Sequence, residues 1–157
     1  IEMVEIGAGG GSIARVDRLG RITVGPDSAG STPGPVCYGR GGTEPAVTDA
    51  NLALGKIDPA YFAGGKIALD EKSARQALQK NVGDKLALKD FWPAAGVTEI
   101  VEENMANAAR VHAIELGRDI SSCTMIAFGG AAPLHACHLA DKLGVRKVIV
   151  PKGAGVA

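Results

Sequence analysis

Residues 124–133 read Thr-Met-Ile-Ala-Phe-Gly-Gly-Ala-Ala-Pro, and residues 134–140 continue Leu-His-Ala-Cys-His-Leu-Ala. The apolar run Met125–Phe128 has the length of a buried strand. It stops at Gly129-Gly130, and Pro133 follows where a first helical residue would stand. Glycine allows a sharp turn and lets a ligand approach the backbone without meeting a Cβ. A helix starting there presents free N–H groups and the positive end of its dipole. Strand, Gly-Gly and helix start therefore make a seat for a nucleotide or phosphate. A tight strand-to-helix turn without any ligand is the plainer alternative, since one Gly pair is a common feature.

Downstream, Pro133–Leu143 is expected to be a helix that buries Ala136, Leu139, Ala140 and Leu143, with Gly144 ending it. His138 and Asp141 fall together on its other face. Cys137 and His138 diverge by about 100° on a helix and so do not suggest a shared metal; no metal-binding residues are assigned. Lys147–Val150 supplies a final strand, and the strand–helix–strand unit predicts a parallel crossover.

The whole chain has 157 residues, enough for one domain with a sizeable core. Gly is the outlier in composition: 22 residues, against a usual ~7 %. Seventeen basic residues balance seventeen acidic ones, so charge gives no case for nucleic acid or an anionic membrane as partner. Three scattered cysteines suggest neither a disulfide framework nor a zinc site. With no signal peptide and no long apolar run, the chain reads as soluble and cytoplasmic. It opens at Ile1 in an apparent strand and stops just after another, which suggests a piece of a longer protein.

From the start, Ile1–Ile6 has strand character and runs into Gly7-Ala8-Gly9-Gly10-Gly11-Ser12. Those glycines, Gly9 and Gly10 among them, can expose N–H groups to an anion, or form a bulge or close strand crossing. Ile13–Val16 and Arg21–Val24 flank a hairpin turn at residues 17–20. Gly25–Gly42 is rich in Gly and Pro, and a loop of that length is often functional. Within it, Cys37 is a candidate nucleophile, although a free cysteine is more often a small buried hydrophobe.

Thr48-Asp49-Ala50-Asn51 opens a short helix that Thr48 can cap and Gly55 ends. Asp49 either complements the helix dipole or binds a metal or polarises water. Asp70 caps a helix reaching about Val82, with Ala74, Ala77, Leu78 and Val82 on its apolar face. Trp92-Pro93 is read as a break before the longest helix, Val97–Gly117. Its stripe is Val97, Ile100, Val101, Met105, Ala108 and Val111, with Asn104, His112 and Glu115 in the same arc. Glu99, Glu102, Glu103 and Arg110 lie away from that arc. His112 either pairs with Glu115, three residues on, or contacts a ligand.

Four stretches together resemble the hydantoinase A / 5-oxoprolinase family. They are Ile6–Ala14 (Ile-Gly-Ala-Gly-Gly-Gly-Ser-Ile-Ala), Val24–Gly42 (with Pro-Gly-Pro-Val-Cys-Tyr-Gly-Arg-Gly-Gly), Val47–Gly55 (Val-Thr-Asp-Ala-Asn-Leu-Ala-Leu-Gly) and Ala127–Ala136. Their order and spacing match over nearly all of the chain. The resemblance implies an α/β fold, part of an actin-like, sugar-kinase-like (ribonuclease-H-like) ATPase domain with a mixed sheet and flanking helices. Residues 1–157 would be one partial domain, the second half of that core. Gly129, Gly130 and Ala131 would form the adenosine-side loop, and Ala131 stands where the family usually has Gly. The phosphate-binding hairpins would lie upstream.

The resemblance further implies ATP and Mg2+ as cofactors, a small-molecule substrate and a hydantoinase B-type partner subunit or domain. Homo-oligomer formation is a further expectation, from a sheet edge left bare. The implied activity is ATP-dependent opening of cyclic amides such as hydantoin or 5-oxoproline, with this piece inactive alone. The alternatives are a subunit of an acetone- or acetophenone-type carboxylase, or a purely structural or assembly module. No catalytic residue is assigned; Asp49 and Cys37 are the candidates.

Overall fold

In this computed structural model, residues 3–156 are described. The order is β1 (Ser12–Val16), β2 (Ile22–Ser28), α1 (Val47–Ala53), α2 (Glu71–Leu78), α3 (Asp84–Leu86), α4 (Trp92–Glu115), β3 (Thr124–Ile126), α5 (Ala132–Leu143) and β4 (Lys147–Ile149). The chain divides into two compact units, Gly7–Val101 and, in its described part, residues 3–6 with 102–156. A single mixed sheet is not what forms. Among the described residues one unit carries the antiparallel pair β1–β2 and the other the parallel pair β3–β4. Residues 3–6, expected as strand, are irregular and join no strand among the described residues; Ile1 and Glu2 lie outside the described residues.

In the first unit, Asp17 makes the hairpin. Its carboxylate accepts from the N–H groups of Leu19 and Arg21, and Gly20 takes a φ of 72°. β2 runs on to Ser28, so the first four residues of the expected 25–42 loop are strand. A register shift separates Ser12↔Ser28 from Ala14↔Val24, so the extra residues lie on β2 at 25–27 and not in the 7–11 glycine run where a bulge was expected. Gly25 sits in that bulge at φ 72°, packed against the Gly7 backbone. A small core gathers Cys37, Leu52, Leu69 and Ala74, with Tyr38 and Phe62 stacked beside it at 5.8 Å between ring centres.

Asp70 caps α2 as expected, its carboxylate accepting from Ser73 N–H at 3.0 Å. The helix does not run unbroken to Val82; a π turn over Gln79–Gly83 intervenes. There the Gln79 side chain turns away to donate to Asp84 and to the Leu88 carbonyl, filling the space beside Gly83. α4 begins at Trp92, five residues before the expected Val97, and ends at Glu115. Pro93 falls in its first turn, where its missing N–H costs no helical bond, so it starts the helix instead of breaking it.

In the second unit, β3 and β4 align Met125 with Val148, and both pack with Ala106, Ala140, Leu143 and Val145. The alternate residues Ile126 and Ile149 face outward and are exposed. Gly144, at φ 67°, closes α5.

Gly20 and Gly25 share the same φ but not the same surroundings, and the difference is measurable. Gly20→Ala should cost only the left-handed backbone penalty, about 1–2 kcal/mol. Gly25→Ala adds a clash of its Cβ with the Gly7 carbonyl, bringing the loss to about 3 kcal/mol or more. Urea unfolding midpoints of the two variants check this; equal losses would refute the close approach.

Candidate functional site

Strand β3 is three residues long, and the chain continues extended through Ala127, whose N–H donates to the Ile149 carbonyl at 2.9 Å. Gly129 turns at φ 94°, with its N–H donating to the Ala154 carbonyl at 2.6 Å. A Cβ built on Gly129 or Gly130 would meet nothing within 4 Å. Ala131 is the N-cap of α5, and no side chain caps the helix start; Pro133 occupies its second position. Gly129, Gly130 and Ala131 thus form an open turn at the foot of a 12-residue helix. N–H groups with no side-chain cap and a helix dipole make such a turn receptive to electron-rich groups.

Beside that turn lies a polar cluster that the sequence reading missed. Glu102 of α4 is 1 % exposed, although the helical pattern set it away from the apolar stripe. Its Oε1 lies 3.0 Å from Nδ1 of His135, a residue equally buried on the first turns of α5. Its Oε2 lies 3.3 Å from Nδ1 of His138, which is therefore paired with Glu102 and not, as expected, with Asp141. Glu103 is drawn the same way: Lys142 Nζ donates to it at 2.6 Å and holds its carboxyl below the usual range. Arg110 donates to the Lys142 carbonyl at 2.8 Å. The error came from reading α4 as having one apolar stripe. The packed surface extends past that stripe, with Ala106 and Ala109 following Glu102 at helical spacing beside Met105. The sequence showed only that His135 and His138 stand three apart on one helix; their partner Glu102 lies 33 residues before His135.

Asp49 is fully buried, and its oxygens accept from three backbone N–H groups: Cys37 at 2.7 Å, Ala46 at 2.8 Å and Val36 at 3.1 Å. Capping of α1 thus falls to Asp49 and not to Thr48, whose hydroxyl donates instead to the Gly10 carbonyl at 2.8 Å. With its lone pairs so engaged, Asp49 is built to fix backbone. Cys37 is also fully buried, and burial together with the Asp49 charge pushes its thiol up, so it stays protonated. Gly9 donates its N–H to Ser12 Oγ at 2.9 Å. His112 is partly exposed, with Nδ1 4.0 Å from Glu115.

An apolar cavity of about 310 Å³ lies beside β3, lined by Met105, Ala109, Met125, Leu139 and Leu143 among others. No charged side chain lines it. Among the described residues no three His, Cys, Asp or Glu side chains group to hold a metal ion. No helix among them is long and apolar enough to cross a membrane.

The sequence as a whole, and not the turn alone, matches a known family. The chain belongs to the hydantoinase/oxoprolinase family, whose model matches residues 1–157. It is 43 % identical over 154 residues to the alpha subunit of caprolactamase from Pseudomonas jessenii, covering 98 % of this chain and 22 % of that one. It is also 43 % identical over 157 residues to the acetophenone carboxylase gamma subunit of Aromatoleum aromaticum, covering 99 % and 21 %. The crystal structure of ATP-dependent caprolactamase from Pseudomonas jessenii superposes with a TM-score of 0.91 at 43 % identity, over 98 % of this chain and 22 % of that chain. The chain spans about a fifth of the length of these relatives.

The three cysteines should separate cleanly in a thiol titration. Cys123 and Cys137 are exposed and Cys37 is buried. Two equivalents of an aromatic disulfide reagent should react at once in native protein and the third only on unfolding. Rapid reaction of all three, or of Cys37 when the other two are replaced by Ser, would show that Cys37 is accessible.

Proposed function

We propose that this chain is the adenosine-side portion of an ATP-dependent enzyme that opens cyclic amides. In this reading it forms the second half of an actin-like ATPase core in a longer cytoplasmic protein. The observation that carries the reading is the Gly129–Ala131 turn. Gly130 has neither a left-handed φ nor any neighbour within 4 Å that would exclude a side chain. Nothing inside the chain requires glycine there, and an approaching ligand would. Ala131 adds one methyl at the helix start, leaving the Gly130 side of the turn as the open approach.

Gly9, Gly10 and His112 are proposed as secondary contacts, each within its own unit. Gly9 has open space where a Cβ would lie, and His112 keeps 31 % of its side chain exposed. Asp49 and Cys37 are left out of the chemistry, for the reasons of burial given above. ATP would supply the phosphoryl group that activates a poor electrophile, and this chain's part would be to bind and orient the adenosine. Magnesium belongs to the proposal for the longer protein. The described residues offer no ligand cluster for it, so no step is assigned to it here. A small cyclic amide as substrate and a hydantoinase B-type partner complete the reading, with the subunit names of the relatives as support.

A carboxylase of the acetophenone type is the second reading, favoured by an identity to such a subunit that equals that to the caprolactamase. The full-length protein should be assayed for ATP hydrolysis against caprolactam, 5-oxoproline, hydantoin, acetone and acetophenone, the ketones with bicarbonate. Stimulation by a cyclic amide supports the first reading; stimulation by a ketone alone replaces it with the second.

Gly130→Val in the full-length protein tests the turn itself. A Cβ at Gly130 meets nothing within 4 Å, so in a variant whose unfolding midpoint is unchanged a rise in the Kd for ATP of about tenfold or more, ~1.4 kcal/mol, reports on the ligand. An unchanged Kd in a folded variant would sink the adenosine assignment.

A further inference from the structure

We propose that Glu102 and His135 are positioning residues that set the orientation of the nucleotide-facing turn; this rests on the reading of Gly129–Ala131 as an adenosine contact. The turn is held firmly on its strand side. Ala127 bonds Ile149 and Gly129 bonds Ala154 through backbone N–H groups. Its helix side has no side-chain cap, because the N-cap is Ala131. Something else has to fix where α5 begins.

His135 is the fourth residue of α5, about 6 Å along the axis from the N-cap. Its Nδ1 donates to Glu102 Oε1 at 3.0 Å, across 33 residues of sequence, with both side chains buried. The other carboxylate oxygen takes Nδ1 of His138 at 3.3 Å, three residues further on. One carboxylate therefore grips α5 at two points that differ in both height and angle. That arrangement resists rotation of the helix about its axis as well as sliding along it. At the far end Lys142 is held by Glu103 and by Arg110, so α5 is pinned to α4 near both termini.

A buried carboxylate–imidazole pair, with the exposed His138 at its edge, is a poor choice for stability alone. Hydrophobic residues of similar volume commonly serve as well or better in that respect. What the cluster supplies is direction, since a hydrogen bond between buried partners fixes distance and angle where apolar packing would allow slip. A rotation of α5 would carry Ala131 and Gly130 with it, and small misplacements of a binding group cost affinity steeply.

The test uses the full-length protein carrying Glu102→Gln, His135→Leu or His135→Asn. ATP affinity is read by calorimetric titration with magnesium present, and folding by the unfolding midpoint. Glu102→Gln keeps the side chain's shape but offers one acceptor oxygen instead of two, and His135→Leu removes the donor. Both should raise the Kd for ATP about tenfold. His135→Asn keeps an N–H near the position of Nδ1 and should recover most of the affinity. A structural role alone would lower the midpoint of His135→Asn and His135→Leu alike without this selective rescue. If His135→Leu does not fold, Glu102→Gln carries the test.

An unchanged Kd in folded Glu102→Gln, or an absence of rescue by His135→Asn, overturns the proposal. Gly130→Val distinguishes the two ways of failing. If it weakens ATP binding while Glu102→Gln does not, only the positioning role is lost. If it leaves ATP binding unchanged, the adenosine reading falls and this proposal with it.

Discussion

A carboxylate taken out of water must be met by donors on every side, and Asp49 shows what a chain poor in large side chains gains from that requirement. Leaving such a charge unpaired would cost several kcal/mol. Here three backbone N–H groups converge on it, from Val36, Cys37 and Ala46. Those groups belong to a Gly- and Pro-rich segment that carries little apolar surface to hold itself in place. Pinning that segment to the first turn of α1 fixes Cys37 and Tyr38, and with them the core against which Leu52, Leu69 and Ala74 pack. The Asp70 N–H then bonds the Cys37 carbonyl at 2.8 Å, so α2 starts from the same pinned segment.

Glu102 plays the corresponding part in the other unit, with imidazoles where Asp49 has peptide groups. The reason both are needed lies in composition. Aromatic residues are 4 % of the chain, and many of the buried positions are Ala and Val. Small side chains bury little area each, roughly 25 cal/mol for every Å², and they interlock weakly, so neighbouring helices could slide at low cost. Hydrogen-bonded carboxylates supply the registration that bulky interdigitating side chains provide in other cores. Asp49 registers loop against helix, and Glu102 registers helix against helix.

Features set by local chemistry were legible in the sequence. Asp70 before a helix, Gly144 after one and the Asp17–Gly20 hairpin depend on residues within a few positions of each other, the β3–α5–β4 unit follows from consecutive elements, and all four are present. What misled were positions whose role is set by a distant partner. Met3–Ile6 had strand character but finds no strand to pair with. Thr48 looked like a cap until Gly10 claimed its hydroxyl. Glu102 was set away from the apolar arc because the helix read over Val97–Gly117 was given one buried face, and the observed helix of 24 residues presents different faces along its length. Pro93 was a weaker case of the same kind, since a proline stops a helix or starts it depending on what precedes it. Of the candidate site, the glycine turn was visible, because it is local. Its support by Glu102 and His135 was not, because the two residues stand 33 positions apart.

The glycines themselves sort by the same logic. At Gly7, Gly11 and Gly42 a Cβ would strike other atoms of the chain, and at Gly20, Gly25, Gly129 and Gly144 the backbone needs a left-handed φ. Each of those is explained by folding alone. Gly130 fits neither group, as Gly9 and Gly155 do not, and neither a Cβ contact nor a left-handed φ accounts for it. For the proposed nucleotide contact, the least constrained glycine in the turn is therefore the one to test. The neighbouring Gly129 would be glycine in any protein with this turn. Gly130 has to be glycine only if something approaches its backbone, and the uncapped start of α5 is what that something would meet.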